Sequence, residues 1–171
     1  PEGWTPNIKE GNQEEIIWAD QPRKTEYAVI YLHGFSASHE EGAPIHENVA
    51  KAFNANLYLS RLPRHGLDNI EAFEDLSPKM LVEYAKDAIK IGKSIGEKVI
   101  LISCSTGGTL STYLAAADPE IDALVMFAPN FELHDKTSKL LTKPWGLSIA
   151  RRLKGDNYHT WPAPDRVKPY W

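Results

Sequence analysis

The stretch Val99-Ile100-Leu101-Ile102-Ser103-Cys104-Ser105-Thr106-Gly107-Gly108 decides the reading of this chain. A β-branched apolar run of strand length breaks there into small residues with a serine at the tip, and a Leu- and Ala-rich segment follows to Ala117, closing at Asp118-Pro119, a helix-stop signal. Where a strand turns this sharply into a helix, the residues two before and two after the tip must be small, and the tip side chain is left exposed above the sheet. Ser103 and Gly107 meet that demand around Ser105. Centring the turn on Cys104 would put Ile102 and Thr106 at the flanks, which fails the same test. Ser105 is therefore the expected nucleophile, in an SxSxG form of the usual GxSxG elbow. A plain Ser-rich turn after a core strand is the alternative.

Working outward, strand and helix alternate. Tyr27 to His33 reads as a strand, Ile45 to Phe53 as a short helix, and Asn56 to Arg61 as a strand. Ser77 with Pro78 behind it is an N-cap followed by proline at the first helical position, and opens a helix to about Ile95. Leu81, Tyr84, Ala85, Ala88, Ile91 and Ile95 recur at three- and four-residue spacing and give that helix one apolar face. Strands at 98–103 and 123–128 flank a helix at 107–117, and Glu15 to Ala19 is expected to pair antiparallel at an edge. The fold class is α/β, a mostly parallel sheet with helices on both faces. Residues 1–132 form the expected core, and 133–171, rich in proline and aromatics, read as an irregular excursion that begins a cap or lid.

The 171 residues suffice for one core, and a formal net charge of −4 with interleaved signs argues against a nucleic-acid surface. The longest apolar runs are strand-sized, so no transmembrane segment is expected. Cys104 is the single cysteine, which excludes an internal disulfide and reads as packing. The compartment is undetermined.

A serine hydroxyl needs a base, and the tetrahedral intermediate needs donors aimed at its oxyanion. Tyr31-Leu32-His33-Gly34-Phe35 ends the first parallel strand in a His-Gly turn that frees the next backbone N–H. The N–H groups of Phe35 and Thr106 are the expected oxyanion hole. With Leu62-Pro63-Arg64-His65-Gly66 after the second parallel strand, these motifs resemble the α/β-hydrolase superfamily, in particular lipase- and carboxylesterase-like serine hydrolases close to monoacylglycerol lipases. The resemblance covers roughly residues 15 to 170, the N-terminal part of that family's domain. It departs at Ser103, and at Arg64, where a glycine commonly stands.

The resemblance implies cleavage of a carboxylic ester through an acyl-enzyme, a small-molecule ester substrate, and no cofactor. It also implies an Asp or Glu and then a His on loops after later strands. Downstream of Ser105 stand His134 and His159, neither behind a strand, and the Asp156 and His159 pair reads as lid or surface. The acid and base are therefore expected beyond residue 171. His33 is expected to hold the oxyanion loop and His65 to be structural. His39 and His46, seven apart, match no helical metal spacing and are expected in an exposed loop, so no metal is expected. Ala123 to Phe127 is apolar on both faces, which suits a central strand, and further strands from the same protein or another chain are expected to cover it. Thioesters or amides remain open as substrates. A non-catalytic binding module that kept the elbow without acid and base is the competing reading.

Overall fold

The computed structural model describes residues 7–69, 72–132, 139 and 143–154. The described residues fall into two compact units, one reaching Pro129 and one starting at Asn130. In the first, the chain runs β1 (Glu15–Ile17), β2 (Thr25–Leu32), a 3-10 turn (His39–Gly42), α1 (Ile45–Ala52), β3 (Asn56–Leu59), α2 (Pro78–Ile95), β4 (Gly96–Cys104), α3 (Thr106–Ala117) and β5 (Ile121–Phe127). The sheet order is β1-β3-β2-β4-β5. Its pairings are parallel apart from β1, which runs antiparallel on β3, so the early strand takes the edge its sequence suggested.

Alternation along the strands splits the core in two. Ala28, Ile30, Leu32, Val99 and Leu101 face α2 and α3, where they meet Ala85, Ala88, Ile89, Leu110 and Leu114. Val29, Tyr31, Leu57, Leu59, Ile100 and Ile102 face the other way, onto Ala50 of α1. Helices thus cover both faces, and residues 28–32 of β2 and 99–102 of β4 are apolar on both sides, as a buried parallel strand requires. Burying an Ile or Leu side chain in this way stabilises by about 1.5–3 kcal/mol. The Asn56 side chain pins the start of β3 with three bonds. Its Nδ2 donates to Arg23 O and Ile95 O, each at 2.7 Å, and its Oδ1 accepts from Ala19 N–H at 3.0 Å.

Helix α2 starts as its sequence demands, with Ser77 Oγ accepting from Met80 N–H at 3.3 Å. Leu81, Ala85, Ala88, Ile91 and Ile95 of the expected stripe pack on the core, and the face differs from it at three positions. Ile89 and Gly92 are inside while Tyr84 is 45 % exposed, because Gly92 lets Ile30 close on the helix backbone. His39 and His46 also depart from expectation. Both are buried rather than in an exposed loop, since His46 Nε2–H donates to His39 O at 2.9 Å and its ring lies on Tyr31.

Strand β5 pairs with β4 alone among the described residues and so lies at an edge, with Val125 38 % exposed. In the second unit, helix α4 (Gly146–Lys154) occupies part of the segment read as irregular. Nine residues give about two and a half turns of periodicity, too few to stand out among the flanking prolines and aromatics. Among the described residues, no helix is long and apolar enough to cross a membrane.

Candidate active site

Ser105 joins β4 to α3 at φ 47°, ψ −113°, a left-handed region that costs a residue with a Cβ on the order of 1–3 kcal/mol. Three contacts over-determine it. Its N–H donates to Phe127 O of β5 at 3.0 Å, and its carbonyl accepts from Gly108 N–H at 3.0 Å and Thr109 N–H at 3.3 Å, which starts α3. The turn is also tightly packed from behind. A Cβ on Gly107 would lie 2.1 Å from Leu32 O and 2.8 Å from His33 O, and one on Gly108 would lie 2.7 Å from Pro129 Cβ. Ser103, two before the tip, is fully buried, and its Oγ has no hydrogen-bond partner among the described residues.

The end of β2 meets this corner because β2 and β4 are in parallel register, with Leu32 beside Ser103. A Cβ on Gly34 would stand 3.3 Å from Ser105 Cβ. Only a glycine allows the two loops to approach so closely. Thr106 is the first residue of α3, so its N–H has no intrahelical acceptor, and neither it nor the Phe35 N–H donates to a described residue. The positive end of the α3 dipole adds to the attraction for an anion there.

His33 sets the orientation of Phe35. Its Nε2 accepts from Leu62 N–H at 2.9 Å, which puts the ring proton on Nδ1, and Nδ1–H donates to Gly34 O at 2.8 Å. In a trans peptide the carbonyl and the following N–H point opposite ways, so holding Gly34 O on the imidazole turns the Phe35 N–H away from it. Burial, reinforced by neighbouring His65, pushes the His33 pKa down to about 3. The ring is neutral at pH 7 and both its nitrogens are committed. His65 is likewise buried and its pKa pushed down, to about 4, with Nδ1–H donating to Pro63 O at 2.8 Å, but its Nε2 has no hydrogen-bond partner among the described residues. Its ring packs between Phe35 and Phe73, at centroid distances of 5.5 and 4.7 Å. Arg64, where the resembled motif has glycine, sits at φ 68°, and its guanidinium pairs with Asp75 at 3.1 Å.

One residue missed in the sequence stands beside this corner. Glu41, from the 3-10 turn, accepts from Gly34 N–H at 2.7 Å and from the Tyr31 hydroxyl at 3.3 Å. Burial, followed by the nearby Glu41 carboxylate, pushes the pKa values of the Tyr31 phenol and the Cys104 thiol up, so both stay protonated donors at neutral pH. Nothing in the spacing of His39-Glu40-Glu41-Gly42 marks the second glutamate over the first. His134, Asp156 and His159 lie outside the described residues. A concavity of about 230 Å³ between β1 and α1, lined by Ile17, Trp18, Lys51 and Leu57 among others, contains none of the residues at the Ser105 corner.

No family model matches the chain, and no curated protein matches it either. Solved structures do. The chain is similar to a structure described with LipS and LipT, two metagenome-derived lipolytic enzymes, at TM-score 0.68 and 16% identity over 81% of this chain and 54% of that one. It is similar to the Paleococcus ferrophilus monoacylglycerol lipase at TM-score 0.57 and 16% identity, covering 85% and 51%. It is also similar to the α/β hydrolase GrgF from Penicillium sp. sh18 at TM-score 0.55 and 20% identity, covering 87% and 55%. The chain therefore has the α/β-hydrolase fold, and spans about half the length of these structures.

Proposed function

We propose that this chain carries the nucleophile and oxyanion hole of a serine hydrolase that cleaves a carboxylic ester. Ser105 Oγ attacks the ester carbonyl, the negative charge gathers on the carbonyl oxygen between the N–H groups of Phe35 and Thr106, and the alcohol departs to leave an acyl-serine. Water then releases the acid and restores the hydroxyl. Each oxyanion donor contributes about 10² to 10³ in rate. The observation that carries the reading is the Ser105 backbone at φ 47°, ψ −113°, a strained conformation of the kind that persists where function requires it.

The general base is not His33, both of whose nitrogens are bound to backbone groups, and His65, its ring packed between Phe35 and Phe73, makes no hydrogen bond to Ser105. The catalytic Asp and His come from beyond residue 171, where further strands would cover β5. The substrate is a small-molecule ester, and the reaction needs no cofactor. The competing reading, a binding module without acid and base, draws on one observation: among the described residues no histidine bonds to Ser105. Turnover of p-nitrophenyl butyrate by the complete protein, compared with Ser105→Ala, separates the two. The hydrolase reading requires turnover that the substitution abolishes, and wild-type protein that binds esters without turning them over supports the module.

A further inference from the structure

The carboxylate of Glu41 occupies a place that a packing role alone does not explain. The backbone that carries it is fixed on both sides. Ser38, buried, accepts from Glu40 N–H through its Oγ at 3.4 Å and from Glu41 N–H through its carbonyl at 3.1 Å. Gly42 presses the turn onto the Tyr31 ring, where a Cβ would lie 2.4 Å from Cζ. From that platform the side chain returns to the end of β2. A Cβ on Gly34 would stand 2.9 Å from Glu41 Oε1 as well as 3.3 Å from Ser105 Cβ, so carboxylate and serine crowd the same side of one glycine.

Gly34 links two peptide planes, and each has a single side-chain anchor. His33 Nδ1–H holds Gly34 O, which fixes the plane that carries the Phe35 N–H. Glu41 Oε2 holds Gly34 N–H at 2.7 Å, which fixes the plane before it. A glycine between two planes rotates freely unless both are tied, and a charge-assisted bond to a carboxylate is roughly twice as strong as a neutral one. We infer that Glu41 is a positioning residue for the reaction at Ser105: by holding Gly34 N–H it keeps the next N–H, of Phe35, aimed at the acyl oxygen. The inference rests on Ser105 being the nucleophile. A carboxylate beside a centre that gains negative charge opposes catalysis unless donors absorb its charge. Gly34 N–H, Tyr31 O–H and the Cys104 thiol surround it in that capacity.

The test compares Glu41→Ala and Glu41→Gln in the complete protein, with p-nitrophenyl butyrate. Glu41→Ala lowers kcat about 10- to 100-fold with KM within about 2-fold, the pattern of an interaction felt in the transition state. Glu41→Gln, whose amide oxygen still accepts from Gly34 N–H, restores kcat to within about 5-fold of wild type. A second readout is independent of turnover. Alkylation of Cys104 by iodoacetamide, followed against pH, shifts its midpoint downward in Glu41→Gln because the carboxylate charge facing the thiol is gone, Tyr31 being the other titratable group against it. An unchanged kcat in Glu41→Ala, or a Gln variant as impaired as the Ala variant, overturns the positioning role. An unshifted alkylation midpoint overturns the contact itself. Wild-type protein that alkylates as described but turns over no ester removes the reading of Ser105 beneath the inference, and the role with it.

Discussion

Gly107 and the carbonyl of Leu32 lie so close that a methyl group on the glycine would stand 2.1 Å from the oxygen. The obstacle is backbone of the central strand β2, which cannot step aside as a side chain can. Gly107→Ala therefore forces the β4–α3 corner away from β2. Overpacking of this kind costs about 1–3 kcal/mol. We expect a lower urea midpoint together with loss of reactivity at Ser105. An alanine variant with wild-type stability and reactivity would mean that the corner is looser than its packing.

Ser103 gives the opposite expectation. Its hydroxyl is fully buried without a partner among the described residues, and such a group costs about 1–3 kcal/mol relative to a satisfied one. Ser103→Gly keeps activity, and Ser103→Ala is neutral or stabilising in chemical denaturation. Ser103→Leu abolishes activity by steric clash. An active leucine variant would contradict a tight elbow.

Arg64 holds a left-handed backbone with φ 68° in return for an exposed ion pair with Asp75. The conformation costs about 1–2 kcal/mol and the surface pair returns about 0–1 kcal/mol. Arg64→Gly is thus expected to raise stability by up to about 1 kcal/mol, despite the usual penalty for adding glycine. A clear loss in equilibrium unfolding would refute this.

Acid should destabilise the fold through two histidines. Their folded pKa values, about 3 for His33 and about 4 for His65, lie below the ordinary value of 6.5. Between those limits the unfolded chain binds the extra protons, so stability falls as pH drops from about 7 and flattens once the folded rings titrate. From pH 8 to pH 5 each histidine contributes about 2 kcal/mol of that loss. Denaturation curves of wild type and His65→Gln across this range should show a shallower decline for the variant. Parallel pH profiles would show that His65 is not buried neutral.

The sequence carried the parallel core well because residues 28–32 of β2 and 99–102 of β4 are unbroken apolar runs and Ser77-Pro78 is a strong helix-start signal for α2. It also placed β1 at the edge, as a short run before the first βα unit. It failed where burial is set by distant partners. His39 and His46 are polar in sequence but buried, His46 with its ring on Tyr31, and Tyr84 keeps the helical period of α2 yet stays half-exposed while Ile89 and Gly92 go inside. At the site, the small residues around Ser105 were legible locally, whereas Glu41 reaches Gly34 only through a folded turn that no spacing rule encodes.

The central claim is that Ser105 is a reactive nucleophile, and covalent labelling by a fluorophosphonate tests it most directly. Intact mass and peptide mapping of the complete protein should show one adduct, on Ser105, and none in Ser105→Ala. Labelling that persists in Ser105→Ala, or that falls on Cys104, would contradict the assignment.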